Sequence, residues 1–285
     1  MPVQESASIL QEQGLGACDS HVHLFLPDVF AFDRDRHYTP ASATLIDLAA
    51  HNDMLGVTHT VLVQPSCYGT DNRALCHGLA VLGSDHARGV VVIDVAHTTD
   101  EELCALHMKG VRGIRLNLSV SDQSDISRIR AEMERAAQRI GPMGWHMQIF
   151  ANPTQLALLL PLIRDAKVPV VLDHFAGGAA LAHQITELLE RSNVWIKLSA
   201  PSRVSTTPGY TDLGPVVAGF AEAAPDRLIW ASDWPHTGGH GRRGGSITDI
   251  EPFAAIDDRQ DLHRLACWID NEELFRRILT TNAYT

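Results

Sequence analysis

The sequence of 285 residues predicts an α/β fold, and specifically a (β/α)8 barrel of the TIM type. Eight short apolar runs alternate with segments in which apolar residues recur at helical spacing. Buried parallel strands are continuously apolar, and strand–helix alternation implies parallel strands joined by crossover helices. Eight such units favour a closed barrel over a doubly wound open sheet, which is the alternative. One barrel domain over residues 1–285 is therefore expected.

The predicted strands follow one another along the chain, each with a helical segment behind it. The apolar runs cover residues 15–18, 57–63, 89–95, 111–118, 145–150, 168–172, 194–198 and 228–231. Helical spacing follows at 45–55, 72–82, 103–106, 126–140, 156–163, 181–189 and 216–223, and the chain from 249 onwards is also predicted to be helical. Thr39 followed by Pro40 is typical of a helix start, and Thr99 with Glu102 predicts a capping box.

Composition excludes several classes of function. The formal net charge is -11 and the longest basic cluster is Arg242–Arg243, so neither nucleic acid nor an anionic membrane is expected as a partner. Residues 1–13 are polar and predict a loose arm without the features of a signal peptide. Five scattered cysteines exclude a disulfide framework and favour a reduced, cytoplasmic enzyme. The oligomeric state is not indicated by the sequence.

Polar side chains gather where the predicted strands end, which is the end at which a barrel carries its chemistry. His21 and His23 follow the first run and share a face, because alternate residues of a strand point the same way. The other polar residues near strand ends are Gln64, Ser66, Asp94, Arg115, Asn117, Gln148, Asp173, His174, Lys197, Ser199, Arg203, Asp233 and His236. Three imidazoles and a carboxylate (His21, His23, His174 and Asp233) form a candidate mononuclear metal set or a metal-free acid–base set.

Ordinary structural roles account for many of the remaining candidates. Most of the fifteen histidines, His51 among them, are expected to be surface or packing residues. Arg112 and Arg115 lie three apart on one strand and face opposite ways, so Arg115 is assigned to the site and Arg112 to an outer salt bridge. Trp234 is expected to pack at the barrel mouth. Lys197 stays unassigned, because it points either into the barrel or towards the helices.

Several motifs together resemble the amidohydrolase superfamily, in the branch that contains 2-pyrone-4,6-dicarboxylate hydrolase and sugar lactonases. The matching stretches are Asp19-Ser20-His21-Val22-His23, Tyr38-Thr39-Pro40, Val63-Gln64-Pro65-Ser66, residues 69–73, Gly110 to Asn117, Gly144-Trp145-His146, Asp173-His174 and Ser232-Asp233-Trp234-Pro235-His236. They span residues 19–236, nearly the whole predicted barrel. The resemblance implies a distorted barrel that opens lactone rings.

The resemblance also implies a role for each matching residue. Asp233 is expected to act as general base on water, while His21, His23 and His174 polarise the carbonyl of a small lactone. Arginines hold the carboxylates of the substrate in such enzymes, and Arg115 and Arg203 match two of them. Further substrate contacts are expected at Tyr38, Ser66 and His236.

Two departures from the pattern predict a different lactone. Residues 118–122 contain no arginine or lysine where the pyrone hydrolases carry a further basic residue, and Phe150 stands where they have a tyrosine. A site with one cation fewer should hold a dianion less well, which favours a sugar-acid lactone with one carboxylate or none. A lactone isomerase and a zinc-dependent decarboxylase are the enzymatic alternatives, and a binding barrel is the non-enzymatic one.

A binuclear metal centre is not expected, because the fourth and fifth strands offer Arg115, Asn117 and Gln148 rather than a bridging carboxylate or lysine and a histidine. Subfamily likeness favours an enzyme that requires no cofactor. A single Zn2+ bound by His21, His23, His174 and Asp233 is the alternative.

Overall fold

The computed structural model describes residues 16–118, 125–238 and 246–284, and within these ranges a parallel sheet curves into a barrel. The strands are β1 (Ala17–Val22), β2 (Thr39–Pro40), β3 (Val57–Val63), β4 (Ala87–Val91), β5 (Val111–Asn117), β6 (His146–Phe150), β7 (Val170–Leu172), β8 (Val194–Ser199), β9 (Leu228–Ala231) and β10 (Ile250–Glu251). β1 and β3 to β9 form the barrel in sequence order, and β2 pairs with β10. The predicted (β/α)8 fold is confirmed, since all eight apolar runs contribute a strand.

Helices alternate with the barrel strands as the spacing of apolar residues predicts. They are α1 (Leu45–Leu55), α2 (Arg73–Leu82), α3 (Asp100–Met108), α4 (Ile126–Ile140), α5 (Pro153–Arg164), α6 (Ala182–Arg191), α7 (Leu213–Ala223), α8 (Asp258–Ile269) and α9 (Glu272–Leu279). The predicted capping box of α3 is present, because Thr99 and Glu102 each accept a backbone N–H bond from the other.

Two local predictions are wrong. Thr39 and Pro40 form strand β2 instead of starting a helix, and α1 begins at Leu45 behind a capping box made by Thr44 and Asp47. Thr39 and Thr44 both have a side chain that suits a helix start, but only Thr44 has an acidic residue three positions later, which completes the capping box. The chain from 249 onwards contains β10 before its two helices, because Ile250 and Glu251 pair with the distant β2.

Alternation along the strands separates a polar barrel interior from an apolar outer face. Ile114, Met147 and Ile196 are fully buried and belong to the hydrophobic core. The next residue on each of those strands is Arg115, Gln148 or Lys197, and all three are buried polar side chains. Arg115 and Gln148 both donate to Asp173, and Lys197 donates to Gln148. Neighbouring strand residues point to opposite faces, so a strand packed on helices outside presents polar groups inside.

The barrel is distorted where its last strand meets its first. A single bridge joins Val22 to Trp234 instead of a regular ladder between β1 and β9. The side chain of Asp19 helps to close this gap, since its Oδ1 accepts from the backbone N–H groups of Ser232 at 3.0 Å and His21 at 3.2 Å. The closure therefore positions the histidines of β1 directly beside the segment that follows β9.

A small aromatic cluster covers one side of the barrel mouth. Phe25 lies 6.0 Å from Phe253 and Phe32 lies 5.0 Å from Tyr68, measured between ring centroids. Tyr38 packs against this cluster. The cluster thus connects the loop before β2 with the segment after β10 and holds Tyr38 near the mouth.

Some predictions concern residues outside the described ranges. These are the loose arm at 1–13, the missing basic residue at 119–122 and the Arg242–Arg243 pair. Within the described ranges, every helix is too short or too polar to cross a lipid bilayer.

Candidate active site

Four predicted site residues meet at the carboxyl end of the barrel. His21, His23, His174 and Asp233 are at most 4% exposed. Asp233 Oδ1 lies 3.7 Å from Nε2 of His21, 3.6 Å from Nε2 of His23 and 3.9 Å from Nε2 of His174. The Nε2 atoms of His21 and His23 are 3.3 Å apart. Four polar atoms from three separate segments therefore surround one point.

The backbone turns sharply at two of these four residues. His174 has a φ of +51° and Asp233 a φ of +69°, values that L side chains rarely adopt. Each residue follows the end of a strand, where a left-handed turn directs the side chain over the barrel mouth. Such conformations are concentrated at functional sites.

A hydrogen bond on the opposite nitrogen orients each histidine. His23 Nδ1 lies 2.7 Å from the carbonyl oxygen of Val63, and His174 Nδ1 lies 2.9 Å from Ser199 Oγ. A carbonyl can only accept, so Nδ1 of His23 carries the proton and its Nε2 presents a lone pair when the ring is neutral. Histidines that bind metals are commonly oriented in this way.

A buried group of polar side chains, here called the strand-side network, supports His21. It consists of Arg115, Gln148, Asp173 and Lys197, all at most 5% exposed. His21 Nδ1 lies 3.4 Å from Asp173 Oδ1, while Asp173 Oδ2 accepts from Gln148 Nε2 at 3.0 Å and from Arg115 Nη2 at 3.3 Å. Lys197 Nζ donates to Gln148 Oε1 at 2.8 Å and to the carbonyl of Ser20 at 2.7 Å.

Burial keeps His21 and His174 neutral near pH 7. It lowers the pKa of His174 to about 4 and holds that of His21 well below its usual value, although carboxylates nearby oppose both shifts. Burial alone would raise the pKa of Asp233, but the charge of Arg203 and the neighbouring imidazoles hold it well below its usual range. Asp233 is therefore a carboxylate that faces the neutral imidazoles of His21 and His174.

This set of donors fits a single cation. Asp233 Oδ1 has no hydrogen-bond partner among the described residues, and the imidazole of His23 turns a lone pair towards it. Lone pairs that converge in a buried site need a cation, a proton or a donating water between them. Tetrahedral zinc with bonds of about 2.0–2.1 Å to nitrogen and oxygen implies donor separations of roughly 3.3–3.4 Å. The separations of 3.3–3.7 Å among His21, His23 and Asp233 suit such an ion, and His174 Nε2 offers a fourth donor 3.9 Å from Asp233 Oδ1.

The two predicted carboxylate-binding arginines differ in their contacts. Arg203 donates from Nε to Asp233 Oδ2 at 2.6 Å and from Nη2 to the carbonyl of Thr237 at 2.7 Å. The guanidinium of Arg115 lies 5.7 Å from the ring centroid of Phe150, and its Nε has no partner among the described residues. Arg115 is thus the one of the two with an unused buried donor.

Arg112, on the same strand as Arg115, lies on the outer face as predicted, but its predicted salt bridge is absent from the described residues. Its Nη1 donates instead to the backbone carbonyls of His107 and Val111. Carbonyls at the end of α3 attract a cation in the same way as a carboxylate does.

Tyr38 and Ser66 lie together on the substrate side of the site. The Tyr38 hydroxyl lies near the Ser66 side chain and within electrostatic range of both Arg115 and Arg203. Burial raises the pKa of Tyr38, which keeps its hydroxyl protonated as a donor. Tyr38, Ser66 and Arg115 therefore offer donors to one region of the mouth.

His236 points towards a second buried group, here called the loop-side network, which consists of Asp19, His51, His236 and Asp258. His236 Nε2 lies 2.8 Å from Asp258 Oδ2, and His51 lies between Asp258 at 3.8 Å and Asp19 Oδ2 at 3.9 Å. Burial opposes a charge on His236, but its hydrogen bond to Asp258 raises its pKa. Trp234, predicted to pack at the mouth, lies 5.7 Å from His51 between ring centroids.

Sequence reasoning missed three residues that the structure brings to the site. The sequence does not decide which way Lys197 points, and the structure makes it a fully buried member of the strand-side network. Its spacing from Ser199 on the same strand was a usable signal, since residues two apart share a face. His51 was expected to be an ordinary packing residue, and Asp258 had no signal, because its partner His236 lies 22 positions away. Asp94, by contrast, lies in an exposed turn with His97.

Comparison with known proteins gives consistent matches over most of the chain. Residues 18–285 match the family model described as amidohydrolase. A 2-pyrone-4,6-dicarboxylate hydrolase of Comamonas testosteroni is 34% identical, over 84% of this chain and 84% of that protein. A 4-sulfomuconolactone hydrolase of Rhizobium radiobacter is 32% identical, over 99% of this chain and 93% of that protein.

A solved structure supports the same assignment. The crystal structure of a protein from Acinetobacter baumannii, named as a probable 2-pyrone-4,6-dicarboxylic acid hydrolase with citric acid bound, aligns with a TM-score of 0.79. It is 26% identical, and the alignment covers 94% of this chain and 97% of that one. By its motifs, its distorted barrel and these matches, the chain belongs to the amidohydrolase family.

Proposed function

We propose that this protein hydrolyses the ring ester of a small carboxylated or sugar-derived lactone, with Asp233 as the general base. The observation that carries the proposal is the position of Asp233 Oδ1, which has no hydrogen-bond partner in the described part of the chain and faces three imidazole nitrogens within 3.9 Å. Two relatives at 34% and 32% identity are named as hydrolases of a pyrone dicarboxylate and a sulfomuconolactone. Both names describe a cyclic ester that carries acid groups.

In the proposed reaction, Asp233 uses one oxygen and Arg203 occupies the other. Arg203 binds Oδ2, so Oδ1 is the oxygen left to take a proton from water. As the proton leaves, the water oxygen bonds to the lactone carbonyl carbon. The ring C–O bond then breaks, and the proton passes from Asp233 to the departing oxygen.

Charge on the carbonyl oxygen has to be stabilised by the surrounding groups. His21, His23, His174 and Asp233 would hold a single zinc ion, which when bound would polarise the carbonyl and acidify a water. A metal-free enzyme, which the subfamily likeness predicts, would rely on the imidazoles and on Arg115 for this stabilisation. In either case the chain fixes the imidazoles through Val63, Ser199 and Asp173.

The substrate is proposed to carry one carboxylate that faces Arg115. The Nε of this guanidinium is buried and finds no partner within the described ranges, and Tyr38 and Ser66 add hydroxyl donors beside it. Arg203 is already bonded to Asp233 and Thr237, which leaves it less available for a second carboxylate. A guanidinium matches a carboxylate better than a hydroxyl does, so the number of free arginines limits the charge of the substrate.

The test is acid release at neutral pH from 2-pyrone-4,6-dicarboxylate and from a panel of aldono- and aldarolactones. The Asp233→Asn protein provides the background for spontaneous hydrolysis. Acid release above that background from at least one lactone is expected, with monocarboxylates preferred. A chelator-treated sample, with and without added zinc, decides whether the ion is needed.

Product analysis separates the alternatives. An isomerised lactone without acid release would replace hydrolysis by isomerisation, and release of carbon dioxide would indicate a decarboxylase. Tight binding of a sugar acid without any product would identify a binding barrel. Each of these outcomes would overturn the proposed reaction.

A reducing compartment is proposed as the place of action, since the described cysteines are all free thiols. A cytoplasmic location and the single-domain assignment of residues 1–285 are also proposed. The partner expected for the barrel mouth is a small molecule.

A further inference from the structure

Lys197 is a buried cation in the interior of the barrel that the proposed reaction does not use. Its side chain is 2% exposed, and it reaches three polar atoms: the carbonyl of Ser20 at 2.7 Å, Gln148 Oε1 at 2.8 Å and Asp173 Oδ1 at 4.0 Å. Removing an ammonium group from water is unfavourable unless its hydrogen bonds and charge are compensated. Here all the compensating groups lie beneath His21 and His23.

The contacts of Lys197 determine which way the Gln148 amide points. An ammonium group only donates, so the oxygen of Gln148 has to face Lys197. The amide nitrogen then faces away, towards Asp173 Oδ2 at 3.0 Å and His21 Nδ1 at 3.5 Å. Asp173 Oδ2 only accepts and requires the same orientation, so Lys197 and Asp173 hold the amide from its two ends. Without Lys197, the amide would be free to turn its nitrogen from Asp173 onto His21 Nδ1, which lies 3.5 Å away.

The orientation of Gln148 in turn determines which oxygen of Asp173 remains open to the Nδ1 atom of His21. Gln148 Nε2 and Arg115 Nη2 both donate to Asp173 Oδ2. Asp173 Oδ1 accepts no hydrogen bond among the described residues, and it lies 3.4 Å from His21 Nδ1. A carboxylate oxygen at this place favours the tautomer of His21 with its proton on Nδ1, whereas Gln148 Nε2, which only donates and lies 3.5 Å from Nδ1, favours the other tautomer. Lys197 holds the amide on Asp173 Oδ2, which leaves the carboxylate to set the tautomer and turns the Nε2 lone pair of His21 towards Asp233.

We propose that Lys197 is a positioning residue, which acts through Gln148 and Asp173 to hold His21 with its Nε2 lone pair at the reacting centre. The hydrogen bonds of this relay run in one direction, from Lys197 to Gln148 and from Gln148 to Asp173, whose Oδ1 lies 3.4 Å from the Nδ1 atom of His21. Its effect on catalysis rests on the proposed function, but its effect on the tautomer of His21 does not.

Lys197 also has a plain structural role that the test has to separate. Its bond to the Ser20 carbonyl ties β8 to β1 across 177 residues of chain, near the irregular closure of the barrel. Loss of this tie alone would lower stability and would affect all steps of catalysis alike. Loss of the relay would act on His21 specifically.

The first measurement is the tautomeric state of His21, read from long-range 1H–15N correlation spectra of the imidazole rings. His21 is assigned by the signals that disappear in the His21→Gln protein. The wild-type protein is expected to show an Nδ1–H imidazole, and Lys197→Met is expected to show a mixture of tautomers or the Nε2–H form. An unchanged Nδ1–H signal in folded Lys197→Met protein would overturn the proposal, whether or not any lactone is hydrolysed.

The second measurement uses the hydrolysis assay. Lys197→Met is expected to lower kcat about 10- to 100-fold, the range found for residues that orient a ligand, with KM changed less than threefold. Lys167→Met, which alters an exposed lysine, is the matched control and should behave as wild type. In a His21→Gln background the loss from Lys197→Met should largely disappear, because its effect passes through His21.

Additive losses in the double variant, or a rise in KM equal to the fall in kcat, would identify Lys197 as a structural tie only. If Lys197→Met does not fold, Gln148→Met serves instead, since it interrupts the relay and leaves the bond from Lys197 to Ser20. That variant should show the same change in the His21 tautomer, and its absence would again overturn the proposal.

Discussion

His21 and Asp233 face each other at 3.7 Å, but the groups that support them differ in kind. Behind His21, the side chains of the strand-side network are joined to one another by three hydrogen bonds of 2.8–3.3 Å. The side chains of the loop-side network, behind Asp233, are joined to one another by one hydrogen bond of 2.8 Å and two longer contacts of 3.8 and 3.9 Å, although Asp19 also accepts from two backbone N–H groups. Short hydrogen bonds orient a group, whereas contacts near 4 Å contribute mainly through charge.

The difference follows from where the two networks are anchored. Arg115, Gln148 and Lys197 lie within β5, β6 and β8, and the parallel ladder fixes the spacing of neighbouring strands at about 4.8 Å. His51 and Asp258 lie on α1 and α8, and His236 lies in the loop after β9. We infer that the strand-side network fixes the orientation of His21, and that the loop-side network holds the turn after β9 in place.

The largest effect is expected when the Asp233 carboxylate, which lies between the two networks, is replaced. Asp233→Asn should lower kcat by about 10²–10⁴-fold, since an amide cannot accept the proton of water. KM should change only a few-fold, because the groups assigned to the substrate carboxylate are retained. Acid-release kinetics measure both constants, and a thermal unfolding midpoint close to wild type serves as the control. A variant with near-normal turnover would remove Asp233 from the mechanism.

A matched pair of carboxylates tests the comparison directly. Asp173→Asn leaves Lys197 and Arg115 buried without their anion, so the free energy of unfolding should fall by about 3–5 kcal/mol. Asp258→Asn should cost only about 1–2 kcal/mol, because an amide oxygen can still accept from His236. Urea unfolding at pH 7 gives both values. Equal losses in the two variants would show that the networks do not differ as inferred.

Acid should destabilise the protein through its strand-end histidines. The pKa of His174 is lowered to about 4 from its ordinary value of 6.5, so between these two pH values the unfolded state binds more protons than the folded state. Stability from this group is complete above pH 6.5 and is lost as the pH falls towards 4, by up to about 1.4 kcal/mol per pH unit.

Unfolding free energies at pH 7.5, 6.5, 5.5 and 4.5 provide the measurement. His174→Gln should flatten the slope between pH 6.5 and 4.5, and the exposed His183→Gln should leave it unchanged. The same slope in all three proteins would show that His174 does not titrate as expected.

The loop-side network should show the opposite pH dependence. The raised pKa of His236 means that its pairing with Asp258 contributes stability below pH 6.5 and loses it as the pH rises through the folded-state pKa. His236→Gln should therefore be more destabilising at pH 5.5 than at pH 8.5. Denaturant unfolding of both proteins at both pH values gives the difference, and a pH-independent loss would contradict the assignment.

The smallest effect is expected at the start of α1, the helix that carries His51. Thr44→Ala removes a capping box and should lower the free energy of unfolding by about 0.5–2 kcal/mol without changing KM. Thr44→Ser, which keeps the hydroxyl, is the control and should stay within a few tenths of wild type. A change in KM would mean that the position of α1 is transmitted to the substrate.

Much of this protein could be predicted because its signals are local or follow from the architecture. Eight apolar runs give eight strands, since a buried parallel strand is apolar over its own length. The grouping of His21, His23, His174 and Asp233 followed from the barrel itself, which brings all strand ends to one rim. The roles of these residues in catalysis stay predictions.

The orientation of polar side chains was decided only by contacts between distant segments. Lys197 points into the barrel because the Ser20 carbonyl and Gln148 Oε1 accept its hydrogen bonds there. Arg203 pairs with Asp233, which lies thirty residues later in the chain. Thr39 and Pro40 form a strand because β10 lies beside them. Sequence patterns report the periodicity of one segment, whereas the partner of a buried charge depends on which segments the closed barrel brings together.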